Sequence, residues 1–207
     1  MAASAFSGNS TFHLADIAEL SLGYSFRGRI ETMPDAPLRL IQMRDLSEGQ
    51  LVDVEHSLRG PDPGVTQSHM LKAGDVVFRA RGSNNTAAFA PVVHESSALV
   101  SPLIRIRAKD DSVEPRYIQW FINLPQSQAY LSAGSQGSLV RMVSIEHLAK
   151  LNIVVPSLDA QRRIVELADL AAREAVILRR LAELKVLYFN RIVSENLLGT
   201  DRSENDS

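Results

Sequence analysis

From Leu158 to Asn196 the sequence contains neither glycine nor proline, and good helix formers dominate. No other feature restricts the fold as strongly. Pro156 closes whatever strand precedes it, and Ser157 is suited to cap a helix. Asp159 sits in the first turn, where the helix dipole favours a carboxylate. A helix over this run extends about 58 Å at 1.5 Å per residue. Leu167, Leu170, Ile177, Leu181 and Leu184 recur at helical spacing, flanked by Ile164, Ala171, Leu178 and Ile192, and Glu174 interrupts the seam. Such a stripe is too regular to be left in water. It calls for a partner helix rather than a helix folded back on its own domain.

The region before it is different in kind. Residues 12–156 hold short apolar runs punctuated by Gly, Pro, Asn and Asp. Leu38–Met43, Asp75–Arg79, Ala87–Val93, Leu99–Ile106 and Leu151–Val155 have the Val, Ile, Leu and Phe content of strands. Pro115–Asn123, Gln126–Ala133 and Ile145–Lys150, the last behind Ser144, read as short helices. The pattern predicts an α+β domain with a curved mixed sheet or partial barrel over 12–156, then one long coiled-coil helix over 157–198. Residues 1–11 and 199–207 have almost nothing to bury and read as disordered tails.

Several function classes are excluded or weakened early. With no cysteine there is no disulfide scaffold, thiolate zinc site or cysteine nucleophile. No apolar run is long enough to span a bilayer, and the N-terminus has no signal-peptide pattern, so a cytoplasmic protein without a membrane partner is expected. His13, His56, His69, His94 and His147 lack metal-ligand spacing, so no metal site is expected. Gly82-Ser83-Asn84-Asn85 has no following lysine, and Gly134-Ser135-Gln136-Gly137-Ser138 has the wrong spacing for a nucleophile elbow. Asp110-Asp111 reads as a turn between strand and helix. No catalytic residue is assigned.

The formal net charge of −2 argues against indiscriminate coating of a polyanion. Charge is nonetheless uneven. Residues 72–107 carry Lys72, Arg79, Arg81, Arg105 and Arg107 against Asp75 and Glu95. Residues 45–62 carry Asp45, Glu48, Asp53, Glu55 and Asp62 against Arg59. A folded domain could therefore present one basic and one acidic face.

Three stretches share a family resemblance. Leu71-Lys72-Ala73-Gly74-Asp75-Val76-Val77-Phe78-Arg79-Ala80-Arg81-Gly82 resembles the Gly-Asp strand and Arg-Gly loop of target-recognition domains in type I restriction–modification specificity subunits. Val143-Ser144-Ile145 through Leu148, then Leu151 through Gln161, is similar to that family's junction between recognition domain and long helix. His13-Leu14-Ala15-Asp16-Ile17, with Gly23 and Phe26, is similar to its opening segment. Val154 and Ser157 stand where that junction usually has prolines. Members typically carry two recognition domains and two long helices, whereas this sequence carries one of each and resembles half a subunit.

The resemblance implies a non-catalytic protein that binds double-stranded DNA at a defined sequence. It implies docking to DNA methyltransferase subunits, which would hold S-adenosylmethionine, and through them to a restriction subunit. The chain itself would need no cofactor. Two copies pairing their helices antiparallel as a homodimer would read a bipartite palindrome.

In this context Arg79 and Arg81, on one face of the strand, with Ser83, Asn84 and Asn85 in the turn beyond, are candidates for base contact. Ser135, Gln136, Ser138 and Arg141 form a second polar loop suited to backbone or base contacts. Ser25, Arg27 and Arg29 either hold phosphates or form a solvated hairpin. Gln161 is expected to fix the strand-to-helix junction, and Tyr117, Trp120 and Phe121 to fill the core. The partner helix would meet Ile164, Leu167, Leu170, Ile177, Leu181 and Leu184. The rival reading is a coiled-coil adaptor whose N-terminal domain binds a protein rather than DNA.

Overall fold

The computed structural model describes residues 10–28, 30–46, 51–82, 85–93, 96–134 and 142–199, with side chains through 196. The chain divides into a unit ending at Val165 and a second beginning at Glu166. Strands β1 (Ser10–His13) and β2 (Ala18–Leu22) flank the short helix α1 (Leu14–Ile17). There follow β3 (Leu38–Ile41), β4 (Leu58–Gly60), β5 (Val76–Arg79), β6 (Ala87–Phe89), β7 (Ser97–Leu99) and β8 (Leu103–Ala108). Helices α2 (Pro115–Ile122), α3 (Pro125–Ala133) and α4 (Ile145–Ala149) lead to β9 (Asn152–Val155) and the long helix α5 (Leu158–Gly199).

The α+β class is as predicted, but the strands fall into three small sheets rather than one curved sheet. The largest is antiparallel, in the order β2-β8-β5-β6. A mixed sheet has the order β4-β3-β7, with β3 and β7 parallel, and β1 pairs antiparallel with β9.

The four-stranded sheet is covered on both faces. Val76, Phe78, Ala87, Ile104 and Ile106 join Tyr117, Ile118, Phe121 and Ile122 of α2 in one core. Val77, Ala88 and Leu103 join Ile41, Leu46, Val52, Leu71 and Leu99 in another. This is why Val76-Val77-Phe78 reads as an unbroken apolar run rather than an alternation. Tyr117 and Phe121 are buried and Trp120 packs against the same core, as expected.

Several boundaries move for local reasons. The strand predicted over Leu99–Ile106 is two strands, because Pro102 has no amide proton for a ladder and the chain crosses there between sheets. The strand predicted over Ala87–Val93 ends at Phe89, ahead of Pro91. Ser10 and Thr11, predicted within a tail over 1–11, instead pair with Val155 and Val154, and residues 1–9 lie outside the described residues. At the other end the helix runs to Gly199.

The junction is built as the sequence suggests. Ser144 Oγ accepts the His147 amide at 3.1 Å, and Ser157 Oγ accepts that of Ala160 at 3.4 Å. Gln161 is fully buried: its Oε1 accepts from Glu114 N at 2.9 Å. Its Nε2 donates to Pro156 O at 2.9 Å and Ser112 O at 3.1 Å. Asp110 accepts the Ser112 amide at 2.9 Å, which makes the Asp110-Asp111 stretch a side-chain-capped turn. Among the described residues no helix is long and apolar enough to cross a membrane.

Candidate nucleic-acid interface

One rim of the four-stranded sheet gathers the segments singled out from sequence. Strand β5 leaves through Arg79, opposite Leu103 where β8 enters. Strand β2 leaves at Leu22 opposite Ile104, and β6 enters at Ala87 opposite Phe78. Ser25 and Arg27 follow β2 immediately, and the 80–85 turn connects β5 to β6. The Gly23 amide ties the first of these to the rim through Leu103 O, at 2.8 Å.

A third segment arrives from far along the chain. The Val143 amide donates to Ala80 O at 2.8 Å, and Arg81 forms an antiparallel bridge with Met142. The segment leading out of 135–141 is therefore stitched to the strand end that leads into 82–85. At its other end, Gly134 lies under His147: an added Cβ would fall 2.0 Å from the imidazole Nε2. That ring stacks on Tyr130 with centroids 4.4 Å apart, and Nε2 donates to Tyr130 O at 3.1 Å. A cleft of about 410 Å³ lined by Gly134, Met142, Ser144, Glu146, His147 and Lys150 opens beside it. Gly82 has φ +117°, a conformation that suits glycine and turns the chain away after Arg81.

The individual side chains sort differently from the sequence-based set. Ser25, Arg27 and Arg81 are exposed at the rim. Arg79 is committed to the fold: its Nη2 donates to Met43 O at 2.9 Å and Leu46 O at 3.1 Å, across the 3₁₀ turn after β3. Alternation along the strand put Arg79 and Arg81 on one face, but only Arg81 lies beyond the covering turn. Asn85 is likewise not a free reader. It is buried, its Nδ2 donates to Arg79 O at 3.0 Å, and its carbonyl accepts from Gln128 Nε2 at 2.9 Å. Arg29, Ser83, Asn84, Ser135, Gln136, Ser138 and Arg141 lie outside the described residues.

The basic face expected over 72–107 is not formed. Arg105 is 4% exposed and donates to Gln67 O, Met70 O and Ser21 Oγ. Burial holds its pKa below the ordinary arginine value, and the charge of Arg107 acts in the same direction. Arg107 grips the buried Asp75 with Nε at 2.6 Å and Nη2 at 2.7 Å, and this bond raises its pKa. These two arginines hold the segment 67–75 against the sheet. Lys72 is exposed but precedes β5, at the end of the strand away from the rim.

Sequence reasoning missed an aromatic feature beside Ser25. Tyr24 meets Phe26 and His69 edge-on, at 5.0 and 5.4 Å between centroids, and its hydroxyl donates to Pro63 O at 2.9 Å. The Tyr24-Ser25-Phe26 alternation was its only sequence signal: two half-buried rings with an exposed serine between them.

In the second unit the helix carries its predicted stripe uncovered among the described residues. Leu167, Leu170, Ile177, Leu181 and Leu184 are between 46% and 66% exposed, and Tyr188 and Phe189 extend the apolar surface. Ile164 does not belong to this set. It packs on the core of the first unit beside Val165, because the first two turns of the helix are part of that unit.

No family model and no curated protein matches the chain. Solved structures do. A chain from a study of complex assembly and conformational transition in the type I R-M system superposes with a TM-score of 0.71 at 17% identity. That match covers 92% of this chain and 45% of the other. The HsdS subunit of Thermoanaerobacter tengcongensis gives 0.65 at 19% identity, covering 94% and 46%. The type I restriction–modification S subunit of M. genitalium gives 0.54 at 11% identity, covering 95% and 47%. The rim, the helical junction and the long helix thus belong to one shared architecture, and the chain has the fold of the type I specificity subunits over less than half of their length.

Proposed function

We propose that the chain is a sequence-specific DNA-binding specificity subunit in half-length form. One observation carries the reading: a single recognition unit followed by a single long helix has the fold of these subunits across 92% of this chain, but 45% of the longer one. The rim that gathers Ser25, Arg27 and Arg81 is the surface assigned to duplex DNA. Arg81 is suited to fork onto a guanine edge, with Ser25 and Arg27 on phosphates. With few exposed cations on the rim among the described residues, most of the affinity would come from shape, a second recognition unit and partner subunits.

The exposed helical stripe is assigned to a second copy, which makes the assembly a homodimer reading a bipartite palindrome. Methyl transfer and cleavage would belong to S-adenosylmethionine-dependent methyltransferase subunits and a restriction subunit docked on it. Selection from randomised duplexes by the full chain with its methyltransferase tests this. A two-part inverted-repeat consensus, with affinity falling steeply with salt, is the expected result. Salt-insensitive binding to a protein partner, with no enriched duplex, would favour the adaptor reading, to which the burial of Arg105 and the pairing of Arg107 with Asp75 lend weight.

A further inference from the structure

The seam of α5 holds three charges at core positions, Glu174, Arg191 and Glu195, and the first two specify how a second copy must lie. Continuing the 3–4 series beyond Leu184 gives Tyr188 and then Arg191, while Glu174 occupies the same series between Leu170 and Ile177. All of these side chains are exposed. In the isolated helix Arg191 Nε reaches Glu195 at 2.7 Å, and Glu195 is the next member of the series.

A parallel, in-register pair would stack Glu174 on Glu174, Arg191 on Arg191 and Glu195 on Glu195, burying like charges in three layers of the seam. In an antiparallel pair the alternating positions of one helix face those of the other, and sliding by whole heptads gives a small set of registers. One of them places Glu174 against the partner's Arg191 and, by symmetry, Arg191 against the partner's Glu174. The same register stacks Leu181 on the partner's Leu184 and Ile177 on the partner's Tyr188, and sets Glu195, which Arg191 holds at 2.7 Å, beside the partner's Leu170. A shift of one heptad one way sets Glu174 against the partner's Leu184 and Arg191 against the partner's Leu167, and the other way sets Arg191 against the partner's Leu181.

We infer that the bare face of α5 is covered by a second copy of this chain, antiparallel, in the register that pairs Glu174 with the partner's Arg191. This rests on the homodimer reading above and names the residues that fix the spacing between the two recognition units.

Charge reversal and cross-linking of the full chain test it. Glu174→Arg or Arg191→Glu alone should raise the dimer dissociation constant about tenfold or more, and the two together should restore it to within about threefold. The chain has no cysteine of its own, so introduced ones are unambiguous. Mixed Ile177→Cys and Tyr188→Cys chains should form a disulfide-linked dimer on mild oxidation, and mixed Ile177→Cys and Leu181→Cys chains should not. A dimer in which the double reversal fails to recover, or in which the second mixture cross-links instead, overturns the register while leaving the homodimer standing. A wild-type chain that sediments as a monomer at tens of micromolar overturns both.

Discussion

Arg81 and Met142, sixty-one positions apart in the chain, face each other across an antiparallel bridge, and the amide of Val143 donates to Ala80 O beside it at 2.8 Å. This contact brings together two chain segments that are far apart in sequence. It also separates Arg81 from Arg79, two residues away, whose guanidinium is held by Met43 and Leu46 carbonyls.

The two arginines should therefore respond oppositely to truncation. Arg79→Ala removes charge-assisted bonds to two carbonyls and should lower stability by about 1–3 kcal/mol in urea denaturation. Arg81→Ala should change stability by less than about 0.5 kcal/mol, yet weaken or broaden duplex preference in a randomised-site selection. Equal loss of stability in both variants would contradict the separation.

Gln161→Ala should strand one amide and two carbonyls in a buried junction, costing about 2–4 kcal/mol by the same measurement. The exposed neighbour Arg162→Ala, whose nearest carboxylate is Glu114 at 3.9 Å, should cost under about 1 kcal/mol.

Tyr117 gives the fold an alkaline limit. Its buried hydroxyl donates to Val154 O at 2.6 Å, and burial pushes its pKa up to about 12 from 10.0. A folded-state pKa above the unfolded one means that this stabilisation is complete below pH 10 and lost as pH rises from 10 towards 12. Tyr117→Phe should cost about 1 kcal/mol at pH 8. It should also flatten the fall in stability between pH 10 and 12, read as the difference between the two unfolding curves.

Leu170→Glu with Leu181→Glu should abolish self-association without lowering the thermal stability of the recognition unit. Both side chains are about half exposed or more and make no part of either core. Sedimentation velocity and a melting curve on the same sample check the two halves of that statement. An unchanged sedimentation coefficient would exclude this face as the interface.

How much of this was legible in the sequence differs from element to element. Ser144, Ser157 and the prolines opening α2 and α3 act through neighbours a few residues away, so the helix starts were readable directly. Strands β1, β2, β4 and β7 carried weak local signals because their pairing partners lie far away: Ser10 finds Val155 and Ala18 finds Ala108. The candidate site was partly legible. A polar residue beside a glycine is a loop in either view, but whether its side chain is free depends on what packs over it. Arg79 and Arg105 were consumed by backbone carbonyls of distant segments, and Asn85 by the carbonyl of Arg79 across its own turn.

The sequence by itself determined the long helix, its apolar stripe, the Glu174 set into that stripe and the absence of cysteine chemistry. Each follows from composition and short-range periodicity, which the unfolded chain already possesses. The tertiary structure decided which arginines face solvent, which loops share a rim, and that Ile164 belongs to the globular core rather than to the bare seam. Those outcomes depend on which carbonyls and apolar faces meet across dozens of residues, because a buried arginine is tolerable only where such acceptors have been brought to it.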